Sequence, residues 1–353
     1  MSKFFSKSHS SLKAYVPGEL PKTDDAIKLN TNESPYPPCP AVFEAALKES
    51  KLLNLYSDPE VRELTEKVAA FYGVDYDQVL MTNGSDEILN FAFMAFGDKD
   101  APFTFPDITY GFYSIFANLH HVPYNEIPLK DDFTIDVKDY ENLGTNIVIA
   151  NPNAPSGLVL SLSDIERIVA TNPDHVVVID EAYIDFGGET ALPLINKYEN
   201  LLITRTFSKS YALAGARLGF GIGNKNLIAD LNMIKFATNP YNVNRMTMAT
   251  GIAALENADY YLDNCKKIIE TRDYSKEELR KRGFTVTDSN TNFLFAASDK
   301  ISAEELNSKL KEEGVFVRHF TPERIRNFNR ITVGTKEQMD IFLSKLDKIL
   351  SEL

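Results

Sequence analysis

A mostly parallel α/β sheet covered by helices on both faces, with a smaller α+β domain after it, is the fold class this sequence predicts. Three observations predict it. Short Val/Ile-rich runs with no polar alternation recur at 146–150, 176–180 and 201–204, and strands buried on both faces, as in parallel sheets, read this way. Segments with apolar residues at helical spacing separate them. A chain of 353 residues that is 44% apolar and 25% charged has material for one large core and a second, smaller one.

Each element follows in order. The first 40 residues carry Pro17, Pro21, Pro35, Pro37, Pro38 and Pro40, and so read as an extended arm. Asp58-Pro59 opens a helix that turns Val61, Leu64, Val68 and Ala69 inward. Gly84-Ser85-Asp86-Glu87 leads into a mostly buried helix through Met94. After the 146–150 strand, Ser163-x-x-Glu166 has capping-box spacing and predicts a helix start, with Ile165, Ile168 and Val169 facing in. Strands at 176–180, 201–204 and 216–222 follow. A long charged helix runs from about Asn257 to Lys281, and the tail alternates strand-like pieces (293–295, 315–318, 330–333) with helical ones. The expected division is an arm over 1–40, a large domain over 41–250 and a small domain over 251–353.

Lys and Arg number 37 against 50 Asp and Glu, a net charge of −13. That balance argues against nucleic-acid binding and against docking on anionic membranes, while leaving room for a local basic pocket. Two cysteines, Cys39 and Cys265, give no disulfide framework and fit a reducing compartment. The first residues lack the apolar stretch of a secretory signal, and no run nears the ~18 apolar residues a membrane helix needs. The expected location is the cytoplasm.

Several motifs carry no chemistry. Gly219-x-Gly221-x-Gly223 lacks the strand-turn-helix context of a dinucleotide loop and reads as glycines in a crowded strand. There is no G-x-S-x-G, no Walker loop and no H-E-x-x-H, and the histidines, including His120-His121, have no ligand spacing. No metal is expected.

The informative residues lie where strands end. Ligands of open α/β sheets bind outside the carboxyl ends of the strands. After 146–150 comes Asn151-Pro152-Asn153-Ala154-Pro155-Ser156-Gly157, and after 176–179 comes Asp180-Glu181-Ala182-Tyr183. After 201–204 comes Arg205-Thr206-Phe207-Ser208-Lys209-Ser210, with Arg217 eight residues beyond the lysine. Gly84-Ser85-Asp86 marks a helix N-terminus, which seats anions through free N–H groups and the dipole. Ser208 and Arg217 would complete a phosphate seat. A lysine partly desolvated near a cation would have its amine pKa lowered and attack a carbonyl. An aldehyde-bearing phosphorylated cofactor with a basic ring nitrogen matches this set, namely pyridoxal phosphate, with an acid for the ring nitrogen.

These motifs resemble the fold-type-I pyridoxal-phosphate-dependent aminotransferases, whose large domain holds a mostly parallel seven-stranded sheet. The likeness narrows to the histidinol-phosphate aminotransferases through Leu29-Asn30-Thr31-Asn32-Glu33-Ser34-Pro35, Tyr56-Ser57-Asp58-Pro59, Gly84-Ser85-Asp86-Glu87 and Arg330-Ile331-Thr332-Val333-Gly334. It spans nearly the whole chain from Leu12. By this resemblance Lys209 is the Schiff-base lysine and acid/base, Asp180 pairs with the pyridine nitrogen, and Tyr183 bonds the phenolic oxygen. Tyr110 stacks on the ring, and Thr206, Ser208, Arg217 and the Ser85-Asp86 backbone hold the phosphate. Tyr56 reaches the phosphate of a neighbouring subunit's cofactor in a homodimer with shared active sites. Arg330 and Arg318 take the carboxylate of glutamate or the phosphate of histidinol phosphate, and Tyr15 closes the neighbour's site. One departure stands out: many relatives have Asn where this chain has Ala154, so either Asn153 supplies that bond to the phenolic oxygen or Tyr183 acts alone. The implied reaction exchanges an amino group between histidinol phosphate and 2-oxoglutarate. An aromatic amino-acid or prephenate-type aminotransferase and a threonine-phosphate decarboxylase share these loops and remain alternatives.

Overall fold

The computed structural model describes residues 2–10, 12–22 and 25–353, so the arm predicted over 1–40 is described apart from Met1, Ser11, Thr23 and Asp24. The first half contains β1 (Ile27–Lys28), α1 (Pro40–Ser50), α2 (Arg62–Tyr72), β2 (Val79–Thr82), α3 (Ser85–Phe96), β3 (Phe103–Pro106), α4 (Phe112–Leu119) and β4 (Tyr124–Ile127). Next come β5 (Asn146–Ala150), α5 (Leu162–Thr171), β6 (Val177–Asp180), β7 (Leu201–Thr206), β8 (Gly219–Gly223), α6 (Lys225–Thr238), α7 (Arg245–Glu256) and α8 (Ala258–Lys281). The remainder is β9 (Phe284–Val286), β10 (Phe293–Ser298), α9 (Ala303–Glu312), β11 (Val315–Phe316), β12 (Arg318–His319), β13 (Phe328–Thr332) and α10 (Lys336–Ser351).

The continuous apolar runs become adjacent strands because each buries both faces. Successive side chains point to opposite sides, so Ile147, Ile149, Val177, Ile179, Leu201 and Ile203 enter one core with α2 and α5. Val148, Val178 and Leu202 enter the other, beneath Phe91, Phe93 and Phe116 of α3 and α4. The seven strands run in the order β2-β8-β7-β6-β5-β3-β4. β3 to β7 pair in parallel, and β8 is antiparallel to both its neighbours.

Three predicted boundaries move. α5 is capped by Ser161, whose Oγ accepts the Asp164 N–H, so Ser163 lies inside the first turn rather than at the cap. α2 starts at Arg62 instead of at Asp58-Pro59, because the Asp58 carboxylate accepts the N–H groups of Glu60 and Arg62 in a turn that ends at Val61 with φ +50°. β8 starts at Gly219, since 214–216 form a short 3₁₀ turn and Arg217 is left-handed.

The C-terminal residues form an antiparallel sheet, β12-β13-β10-β9, over a core that includes Leu294, Ile331, Phe342 and Leu346. The arm does not stay apart from it. β1 pairs in parallel with β11, and Leu29 is buried in that second core. A seam of Ile108, Leu129, Phe295 and Ile325 joins the two parts, and Arg324 bonds Asp107 across it at 2.6 Å. Among the described residues no helix is long and apolar enough to cross a membrane.

Candidate active site

The register lines the strand ends up. Ala150 pairs with Asp180 and Asp180 with Thr204, while Thr82 and Thr206 both pair with Gly219. The loops after β2, β5, β6 and β7 therefore open on one side of the sheet.

Asp180 ends β6 and is buried. Its Oδ2 accepts from the Tyr113 hydroxyl at 2.9 Å, and its Oδ1 accepts from Thr204 Oγ1 at 3.0 Å and the Ala182 N–H at 3.3 Å. Burial pushes its carboxyl up to about 6, against the downward pull of those bonds. None of these partners is a cation. A buried carboxylate surrounded only by neutral donors is matched by a group that brings its own proton, such as a pyridinium nitrogen.

The anion seat depends on two glycines. Gly84 has φ +80°, and a Cβ there would stand 2.6 Å from Arg217 Nη2. A Cβ on Gly219 would lie 2.4 Å from the Ser85 nitrogen. Glycine at both places lets the start of α3 press against the strand ends with its first N–H groups free of helical partners. Arg217 Nη2 bonds Asp86 Oδ2 at 2.9 Å, and the Thr206 hydroxyl donates to Ser208 Oγ at 2.9 Å.

These groups line one cavity of about 370 Å³: Ser85, Asp86, Thr206, Ser208 and Arg217 at the seat, Asp180 at the strand end, and Tyr110, Tyr183 and Lys209 on the walls. Tyr110 is fixed by its hydroxyl, which donates to Asp86 Oδ1 at 2.7 Å. The Lys209 Nζ lies 5.7 Å from the centre of the Tyr183 ring. A second cavity of about 440 Å³ shares Tyr110, Ala154, Tyr183 and Lys209 with the first and adds Tyr15, Arg318 and Arg330. Arg330 is half-buried against the rings of Phe293 and Phe320, its Nε has no partner, and Nη2 donates to the Asn30 carbonyl at 3.1 Å. Burial pulls its pKa below the usual guanidinium value. Arg318 stands opposite it in the β12–β13 register and donates to the carbonyls of Val16 and Pro17.

Three expectations need correcting or completing. Asn153 does not face the cavity: its amide donates to the Ile108 carbonyl and Ser156 Oγ, and its Oδ1 accepts from Thr109. With every polar atom engaged in holding the loop, it has none left for a ligand, and Ala154 lines the wall instead. Tyr15, expected in a neighbour's site, lies in its own chain's second cavity, its ring 4.4 Å from that of Phe112. Tyr56 lines neither cavity; it is 79% exposed and stacks on Tyr241.

Other contributors were not legible beforehand. Tyr113, in the first turn of α4 and three residues after Tyr110, looks in sequence like any core aromatic. Asn32 donates through Nδ2 to the Tyr183 hydroxyl at 2.8 Å. Glu181 and Arg205 form a buried ion pair at 2.7 Å behind the strand ends, with Thr190 and the Ala191 N–H also on the carboxylate.

A lysine between two cavities, a buried acid at one strand end and an anion seat at a helix N-terminus define a pyridoxal-phosphate-dependent transferase of the α/β type. The model for class I and II aminotransferases matches residues 24–346. A histidinol-phosphate aminotransferase of Brachyspira hyodysenteriae is 49% identical over 99% of both chains, and one of Clostridium botulinum is 44% identical over 100% of both. Among solved structures, the histidinol-phosphate aminotransferase of Sinorhizobium meliloti in complex with pyridoxal-5'-phosphate superposes with TM-score 0.85 at 24% identity, covering 93% of this chain and 91% of that one. The chain belongs to the class I and II aminotransferases, and within them to the histidinol-phosphate aminotransferase family.

Proposed function

We propose that this protein transfers the amino group of L-histidinol phosphate to 2-oxoglutarate, giving imidazole acetol phosphate and glutamate, in the histidine biosynthesis of the cytoplasm. The observation that carries this is the second cavity: it adjoins Lys209 and holds Arg330, whose buried Nε is unpartnered, facing Arg318. Paired guanidinium forks suit carboxylate and phosphate alike, and both substrates bear such groups. The full-length likeness to histidinol-phosphate aminotransferases supports the choice of donor.

The first cavity fits pyridoxal phosphate, because Asp180 is a buried carboxylate without a cation and the seat at α3 takes an anion. When bound, the cofactor supplies an electron sink that renders the substrate's Cα–H acidic. Asp180 keeps the proton on the ring nitrogen. Arg217, Ser208, Thr206 and the N–H groups of Ser85 and Asp86 hold the phosphate, and Tyr110 covers the ring. Tyr183 would donate to the phenolic oxygen, and Lys209 Nζ would take the Cα proton and deliver it to the cofactor's former aldehyde carbon, the 1,3-shift that amino transfer requires. Arg330 and Arg318 orient the substrate's anionic ends, and Tyr15 closes the cavity over the imidazole. The exposure of Tyr56 supports its service to the phosphate of a neighbouring subunit in a homodimer.

The test adds histidinol phosphate alone to the yellow, cofactor-loaded protein. The expected result is loss of the yellow band, gain of a pyridoxamine band, and recovery on adding 2-oxoglutarate. A protein bleached by phenylalanine but not by histidinol phosphate overturns the donor. Release of carbon dioxide from threonine phosphate overturns the reaction class.

A further inference from the structure

On the cavity wall that includes Tyr183, the loop after β5 brings in no side-chain donor. Ala154 presents a methyl group there, and the side chain of Asn153 is committed to Ile108, Thr109 and Ser156. The Tyr183 ring is held edge-on against Phe293, at 5.2 Å between centres. Only the direction of its O–H then remains to be set.

Asn32 sets it. The residue is buried, with φ +56°, a conformation Asn tolerates better than most residues. Its backbone N–H donates to Thr332 Oγ1 at 2.9 Å, and that hydroxyl donates back to Asn32 Oδ1 at 3.0 Å. The Thr332 hydroxyl is buried and, among the described residues, meets no acceptor other than Asn32 Oδ1, so its proton goes there. This assigns the amide's orientation: oxygen toward β13, Nδ2 toward Tyr183. The Nδ2 donates to the Tyr183 oxygen at 2.8 Å. With a donor on that lone pair, the phenol cannot donate to Asn32. Among the described residues no other group accepts its proton, and Tyr183 lines both cavities.

We propose that Asn32, oriented by Thr332, is a positioning residue that commits the Tyr183 hydroxyl to donating into the cavity, where it meets the phenolic oxygen of the cofactor. The inference rests on the placement of pyridoxal phosphate given above. It also ties that donor to β13 of the second core, since the orienting hydroxyl belongs to that strand.

The experiment is a pH titration of the visible absorbance of the cofactor-loaded protein, without substrate. A donor held on the phenolic oxygen favours the form of the bound cofactor that has lost a proton, so losing the donor moves the midpoint to higher pH. Asn32→Gly removes the amide and tolerates the positive φ. It is expected to raise the midpoint by roughly half a unit to one unit, the size of one neutral hydrogen bond, and to add nothing further in a Tyr183→Phe background. Thr332→Val, which leaves Asn32 in place and frees its amide to turn, should shift the midpoint the same way by less. A wild-type midpoint in Asn32→Gly, or an undiminished shift in the Tyr183→Phe background, overturns the proposal. An unmoved midpoint in Tyr183→Phe alone overturns the assignment of Tyr183 and this inference with it. A wild-type protein that takes up no cofactor overturns the site reading itself.

Discussion

The hydroxyl of Tyr113, on α4, donates to Asp180 Oδ2 at 2.9 Å, and both side chains are buried. The bond joins the helix after β3 to the end of β6, and holds the acid at a fixed angle to the cavity.

Tyr113→Phe leaves the packing nearly intact and removes one donor from the carboxylate. The Asp180 carboxyl then rises above its value of about 6. A less readily ionised acid holds the cofactor's ring proton less well, so pyridoxal phosphate should bind roughly tenfold more weakly at neutral pH. Fluorescence titration of the cofactor-free protein measures this, and an unchanged affinity would refute it.

Asp180 also shapes the pH dependence of the cofactor-free protein. Its folded value of about 6 exceeds the ordinary 3.8, so between these two the folded state binds more protons than the unfolded chain. Its contribution to stability is therefore fullest below about pH 4 and is lost as pH rises through about 6. The expected loss is on the order of 3 kcal/mol. Urea unfolding across this range should show wild-type stability falling relative to Asp180→Asn, with a constant difference above about pH 7. Parallel curves would contradict it.

The Glu181–Arg205 pair is buried, with 2.7 Å between Glu181 Oε2 and Arg205 Nη2. Glu181→Gln leaves the guanidinium only the more distant carboxylate of Asp185, at 3.4 Å, and should cost about 3 kcal/mol in denaturant unfolding. Arg205→Met added to it should recover part of that loss, since the remaining buried charge is gone. A double variant less stable than Glu181→Gln alone is the contrary outcome.

Gly219→Ala places a methyl 2.4 Å from the Ser85 nitrogen, a backbone atom that cannot rotate away. The start of α3 must move, and with it the N–H groups of the anion seat. Cofactor affinity, read by equilibrium dialysis, should fall roughly tenfold or more. Retained affinity would show that the seat lies elsewhere.

Arg330→Met removes a guanidinium from the wall of the second cavity. Steady-state kinetics should show kcat/KM falling roughly 10- to 100-fold, with the yellow band of the bound cofactor preserved. Arg330→Lys should restore little, because an ammonium lacks the planar fork. Wild-type kcat/KM in either variant would remove Arg330 from substrate binding.

The strands show how far local pattern reaches. Runs such as Asn146–Ala150 and Val177–Asp180 are unbroken because both faces are covered, and the same fact makes them recognisable. Helix starts were less legible: Ser161 and Ser163 are equally good caps in isolation, and only the approach of the Asp164 N–H to Ser161 decides between them.

The sequence by itself determined the alternation of apolar strands and helices, and the chemical set of acid, lysine, arginine and glycine-opened helix that follows them. These depend on residue type and on spacing along the chain. Tertiary structure alone decided which groups meet across long separations. It tied Asn153 to Ile108 and Thr109, brought Tyr113 to Asp180, and set Asn32 between Thr332 and Tyr183. The physical reason is that a polar side chain commits to whichever partners the packed backbone brings within hydrogen-bond reach, and no periodicity in the sequence encodes that choice.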